Sequence, residues 1–296
     1  MRLFPAFVLA CLVSVLAATA AQATTRHSVE LRCGLCGKES TQYLLGSFFF
    51  PFPADLDFQP ALGIRNKLWI QECPHCGWIA RDFSAPVPVR VRTAFESKSY
   101  KALADLTVPD DARIFLRIAL LEEAAEQWWE AGLDYIAAAW FCDPGALRWG
   151  TEMEIWEQRQ QREREWKRAQ RDRDDSPEGN ADVARPAPAP EPVLPPVDQA
   201  MQKTAAALRA RAIPLLEKAF LQPPDSENAL TLPYLLAELH RRAGRFDIAA
   251  AWLARAEAML ADGDPDTRER LTALISVQKL LIQAKDSDRH IDPEDQ

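Results

Sequence analysis

The chain has 296 residues, enough for one large domain or two modest ones with a real core. Nearly half the residues are apolar and 26% are charged, which excludes a disordered or fibrous chain. A net charge of −8 and a pI near 5.2 argue against bulk binding to nucleic acid or anionic lipid, which select for Lys and Arg excess. With only 4 histidines, acid–base catalysis by imidazole has few candidates.

Met1-Arg2 is followed by an uncharged, apolar run from Leu3 to Ala21. Ala21-Gln22-Ala23 then fits a small-x-small cleavage site. Residues 1–23 therefore read as a secretory signal peptide, and the rest of the chain as exported, with a periplasmic destination expected. An uncleaved anchor is the alternative, because about 19 apolar residues just span a bilayer. A membrane is otherwise not expected as a partner.

Residues 24–95 are rich in Phe, Pro and short alternating runs, and 28–95 read as one small N-terminal module. Val29 and Leu31 lead into Cys33, Lys67 to Glu72 leads into Cys73, and Val87, Val89 and Val91 alternate with polar neighbours. All three read as short strands. Phe48-Phe49-Phe50-Pro51-Phe52-Pro53 reads as a loop, because its prolines exclude a central strand.

From residue 97 the period becomes helical. Asp110 or Asp111 can cap a helix carrying Ile114, Ile118, Leu121, Ala125 and Trp128 on one stripe. A second helix is expected after Gly132. Asp143-Pro144 reads as a cap and first-turn proline for a third. That third helix runs into a stretch where, from Glu152 to Asp175, eight acidic and seven basic residues interleave, with pairings such as Glu163–Lys167. It lacks an apolar heptad seam, so a solvated single helix is expected over this part of the block 97–175. Residues 176–197 hold seven of the 22 prolines and read as an extended Pro/Ala-rich linker. A second helical block spans 198–285, with helices expected near 228–243, 246–262 and 265–285. The acidic end, 286–296, reads as a frayed tail.

A repeat signal lies in this second block. Ala237 is seven residues before Gly244, and Ala249 and Ala256 follow it by five and twelve, with Leu236 and Leu253 at the bulky places. That is the pattern of a tetratricopeptide-like hairpin, in which alanines let two helices approach and a glycine makes the turn. A weaker copy is centred on Gly132, with Ala125 and Ala137. Such stacks present a surface to a partner, so an unidentified protein partner is expected through these helices.

The strongest chemical signal is Cys33-Gly34-Leu35-Cys36-Gly37 with Cys73-Pro74-His75-Cys76-Gly77. Each pair has the form of a zinc knuckle, in which the glycine takes positive φ and frees amide groups for sulfur. Two knuckles supply four soft ligands, Cys33, Cys36, Cys73 and Cys76. These suit one tetrahedral Zn ion in a closed, structural site. Chelation is then expected to loosen the ribbon and spare the helices. Two alternatives stand beside this. Export would favour disulfides, and Cys73-Pro74-His75-Cys76 has the form of a thiol–disulfide oxidoreductase motif, although no βαβ pattern surrounds it.

The remaining candidates have plainer readings. His75 is a weak candidate fifth ligand, His27 and His290 lie near the termini, and His240 falls in the core of the repeat. Cys142 reads as a buried thiol. Trp128, Trp129 and Trp140 read as repeat core. No phosphate loop, nucleophile elbow or metalloprotease helix is found, so no catalytic residue is assigned and a non-enzymatic role is expected.

The order of these features resembles the bacterial domain of unknown function 2225 family. The resemblance covers roughly 28–145, through Cys33, Cys36, Cys73, Cys76, Gly77, Ile79-Ala80, Phe83 and Ala138-Ala139-Trp140. It implies a zinc ribbon followed by repeats, with no assigned reaction. The expected fold is α+β, mainly α: a small N-terminal β zinc ribbon followed by tetratricopeptide-like helical hairpins.

Overall fold

The computed structural model describes residues 26–45, 55–58, 70–174, 198–222, 226–260, 265–288 and 290. The expected signal peptide, the Phe/Pro loop at 48–53 and the linker at 176–197 lie outside the described residues, as does Lys67–Trp69 of an expected strand. The fold is α+β and mainly α, as the sequence leads one to expect. Among the described residues, no helix is long and apolar enough to cross a membrane.

The chain divides into two compact units, one holding residues 1–50 and 68–85, the other 51–67 and 86–296. The first unit is built from two hairpins. β1 (Arg26–Arg32) pairs antiparallel with β2 (Glu39–Leu45), and β3 (Gln71–Glu72) with β4 (Ile79–Ala80). Among its described residues, Trp78, Ile79 and Phe83 are the buried apolar side chains besides cysteine.

The second unit is helical. It contains α1 (Val89–Glu96), α2 (Lys98–Ala102), α3 (Asp110–Ala125), α4 (Trp128–Cys142) and α5 (Pro144–Asp174). After the linker come α6 (Gln199–Leu221), α7 (Ser226–Arg242), α8 (Phe246–Leu260) and α9 (Pro265–Gln283). Several helix starts follow the sequence closely. Asp143 Oδ1 accepts from Gly145 N at 2.9 Å and caps α5, and Asp198 Oδ1 accepts from Ala200 N at 2.8 Å and caps α6. The start of α3 differs: Pro109 occupies its N-cap, and Asp110 and Asp111 lie in the first turn, where they complement the helix dipole. α5 is 31 residues long, about 46 Å at 1.5 Å per residue. Its Lys167 and Glu163 pair at 3.6 Å.

Three expectations change. Val89 and Val91 do not lie on a strand; they open α1. Val89 is exposed and Val91 buried, and Phe95, one turn on from Val91, meets the Tyr100 ring at 5.0 Å. The alternation is therefore the edge of a helical stripe. Next, Gly132 makes no turn. The chain reverses at Glu126, which takes a left-handed φ of 62°, and Gly132 lies inside α4. A Cβ at Gly132 would stand 2.5 Å from Leu216 Cδ2, so its smallness serves a close approach to α6. α6 answers with Ala205, Ala212 and Ala219, all buried and spaced by seven. Helices from the two sides of the proline tract thus pack as direct neighbours within one unit. Finally, among the described residues after α9, Asp286 and His290 are held by the helices, while 289 and 291–296 of the expected tail lie outside the described residues. Arg241 Nη1 donates to the Asp286 carbonyl at 2.6 Å, and His290 lies against Asp55 and Arg242.

α7 and α8 pack on each other around Gly244, whose φ is +68°. Ala237, Ala249, Ala256, Leu236 and Leu253 are all buried there.

Candidate metal centre

Both cysteine pairs sit in hairpin loops of the same construction. In the first, Cys33 N donates to the Lys38 carbonyl and Gly37 N to the Cys33 carbonyl, each at 2.9 Å. In the second, Cys73 N donates to the Trp78 carbonyl at 2.7 Å and Gly77 N to the Cys73 carbonyl at 2.9 Å. Gly37 and Gly77 both have φ of 72°, a left-handed value that an L side chain rarely adopts. The glycines therefore close the turns, and their own amides are used on carbonyl oxygen. The sulfurs take other amides: Lys38 N–H faces Cys36, Trp78 N–H faces Cys76, and Leu35 and Cys36 N–H face Cys33.

The hairpins are held to each other by polar links. Gln42 Nε2 donates to the Glu72 carbonyl at 3.2 Å. His75 Nε2 lies 3.2 Å from the Glu39 carbonyl, which gives this ring a bridging place instead of a ligand's. Gly34 N donates to the Phe83 carbonyl at 2.9 Å, and a Cβ at Gly34 would fall 1.9 Å from the Ala85 carbonyl oxygen. Gly34 is thus required by the passing backbone, at a φ that gives no hint of it.

These constraints bring Cys33, Cys36, Cys73 and Cys76 together, with all four sulfurs within 4.8 Å of one another. Cys33 Sγ lies 3.8 Å from Cys76 Sγ, and Cys36 Sγ lies 3.8 Å from Cys73 Sγ. Tetrahedral thiolate coordination at about 2.3 Å per bond puts sulfurs about 3.8 Å apart, whereas a disulfide needs about 2.05 Å. None of the five described cysteines forms a disulfide. The arrangement therefore fits a metal ion held by four thiolates. Amide donors to sulfur stabilise the thiolate form that a metal requires.

The four thiols are not equivalent. The Lys38 amide draws the exposed Cys36 thiol down to about 7, while burial pushes Cys33 up and Cys76 up to about 12. Cys73 is 1% exposed and sits in a turn that runs on into β4. The helix N-terminus that activates the first thiol of an oxidoreductase motif is absent at this pair.

A second polar cluster, missed from the sequence, lies wholly inside the helical unit. Arg209 of α6 donates to Asp143 at 2.6 Å and to Asp57 at 3.3 Å. Arg242 of α7 reaches Asp55 at 2.9 Å and Glu238 at 2.8 Å, and Arg241 reaches Glu238 at 2.6 Å. Burial raises the Glu238 carboxyl, but Arg241 and Arg242 outweigh it and hold it at about 2. Burial likewise raises Asp143, and Arg209 brings it below the usual carboxylate range. Asp57 goes the other way: burial lifts it, and the nearby Arg209 does not fully compensate. A cavity of about 300 Å³ adjoins this cluster, lined in part by Asp143, Arg209, Arg242 and His290. His240 is 2% exposed, in the core as expected, and Cys142 is buried with its thiol pushed up to about 11.

Comparison with known proteins finds no matching family model, no matching curated protein and no matching solved structure.

Proposed function

We propose that this is an exported, non-enzymatic protein whose N-terminal module is a structural zinc ribbon and whose helices offer a surface to a protein partner. The reading is carried by one observation: four sulfurs on two matched knuckles, all within 4.8 Å of one another. Zinc is the ion that a closed set of four thiolates suits best, through soft ligands, tetrahedral spacing and no need of redox chemistry. When bound, it supplies a cross-link between two hairpins that bury little else. Cys33 and Cys73 hold it from the interior, Cys36 and Cys76 from the more exposed side. The amides of Leu35, Cys36, Lys38 and Trp78 offset the thiolate charge.

The helical unit supports the second half of the proposal. The hairpin of α7 and α8 buries Ala237, Ala249 and Ala256, which supports the tetratricopeptide-like reading of this stretch. The knuckles followed by such helices are the features shared with the domain of unknown function 2225 family, and membership is proposed on them. Export rests on the sequence of residues 1–23.

The test is metal analysis with thiol counting on protein purified from the exported compartment. One zinc per chain with four protected thiols is expected. Metal-free protein that exchanges a test disulfide, and loses that activity on Cys73→Ser, overturns the proposal in favour of redox chemistry.

A further inference from the structure

Asp55, Leu56, Asp57 and Phe58 lie between the two cysteine pairs in the chain, yet they belong to the helical unit. Within it they are deeply enclosed: Asp55 and Leu56 are 0% exposed and Asp57 1%. Each holds a different part. Asp55 accepts from Arg242 of α7 at 2.9 Å and lies against His290. The Leu56 carbonyl accepts from the Tyr234 hydroxyl at 2.8 Å, and its side chain packs with Leu281 of α9 and Trp156 of α5. Asp57 accepts from Arg209 of α6 at 3.3 Å, and the Phe58 ring lies 5.3 Å from that of Tyr234. Four residues thus join α5, α6, α7, α9 and the chain end.

Connectivity gives this placement a consequence. Cys36 precedes Asp55 by 19 residues, and Cys73 follows Phe58 by 15. A metal held by both pairs closes a loop with this segment near its middle. Closing a loop reduces the freedom of the undocked segment and so favours docking. We infer that the four-cysteine site and the helical unit are energetically coupled through Asp55–Phe58. Metal binding tightens the seating of the segment among α6 and α7, and seating raises metal affinity by the same factor. The inference rests on the metal reading of the cysteines. Loop closure over the 37 residues from Cys36 to Cys73 sets the coupling at roughly tenfold, since part of the freedom is already lost at the helical anchor. The sequence alone leads one to expect that chelation spares the helices; the inferred coupling predicts that chelation also loosens α6 and α7.

The experiment is hydrogen exchange on the full chain, with zinc and after chelation, with zinc content measured on the same samples. Zinc affinity is also measured by chelator competition for the full chain and for Leu56→Ala and Asp57→Asn. Chelation is expected to speed amide exchange near Arg209 and across Tyr234–Arg242 by about tenfold. Both variants keep every cysteine and are expected to bind zinc several-fold more weakly. Asp57→Asn preserves side-chain shape, so it reports even where Leu56→Ala fails to fold. The coupling is overturned by chelation that releases the ribbon amides while α6 and α7 exchange stays within about twofold, or by variant affinities equal to that of the unchanged chain. Protein that binds no zinc overturns both the coupling and the metal reading beneath it.

Discussion

Cys33 and Cys76 are 43 residues apart in the chain, and their sulfurs are 3.8 Å apart, one from each hairpin. Neither hairpin can complete the set of four thiolates alone. Replacing Cys76 by serine is therefore expected to take bound zinc well below one per chain and to broaden the amide signals of both hairpins in an NMR spectrum. Full zinc content with an unchanged spectrum would count against a four-thiolate site.

Gly34→Ala tests the backbone that supports the cysteines. The added Cβ would sit 1.9 Å from a carbonyl oxygen, and backbone cannot swing aside as a side-chain tip can. The Gly34–Phe83 hydrogen bond must lengthen or break. A loss of about 2–4 kcal/mol in the stability of the metal-bound ribbon is expected, read as a lowered denaturant midpoint.

Gly132→Ala sets two effects against each other. Alanine gains about 1 kcal/mol of helix propensity over glycine. Against this, its Cβ would stand 2.5 Å from Leu216 Cδ2 and 2.6 Å from Leu216 Cγ, and Leu216 is fully buried. Overpacking of this kind costs about 1–3 kcal/mol, so the clash wins and the melting temperature falls. The double variant Gly132→Ala/Leu216→Ala should cost less than the sum of its singles; strict additivity would show that the two residues do not meet.

Arg209 bridges two buried carboxylates, and Arg209→Met leaves both without it. A loss of up to about 3–5 kcal/mol is expected, since the two buried carboxylates lose their largest counter-charge. Adding Asp57→Asn and Asp143→Asn to the same chain should recover much of that loss in a thermal melt.

His240 makes stability depend on pH. Burial, with Arg245 adding to it, lowers the imidazole from 6.5 to about 4. Above pH 6.5 the ring is neutral folded or unfolded, and stability does not change with its titration. Between 6.5 and about 4 the unfolded chain takes up a proton that the folded chain refuses, so stability falls as pH drops. The full loss is at most about 3–4 kcal/mol. Glu217 lies 3.7 Å from the ring and softens it. His240→Leu should flatten the melting temperature across this window; an unchanged slope would assign the effect to other groups.

The features legible in the sequence are those whose cause is local. A C-x-x-C-G turn carries its two cysteines, its glycine and its reversal within five residues, so both halves of the four-cysteine cluster can be read directly. Asp143, Asp198 and Gly244 mark helix ends through bonds to near neighbours or through their own φ. Gly34, Gly132 and Asp55–Phe58 were opaque for the opposite reason: what fixes them is Ala85, Leu216 and four helices brought in from elsewhere. His290 looked like a tail residue because its partners, Asp55 and Arg242, lie 235 and 48 residues away. Gly132 did carry a signal, a small residue inside an otherwise apolar helical stripe. That spacing suited a turn as well as it suited a crossing.

The tight crossing of α4 and α6 also sets an order of assembly. α3 and α4 can meet as soon as both exist, but the small-residue face around Gly132 has no cover until residues 199–221 arrive. A nascent chain that ends before α6 therefore exposes apolar surface that its own later half covers. A fragment that ends within residues 176–197 is therefore expected to leave this face open and to aggregate on expression, where the full chain covers it.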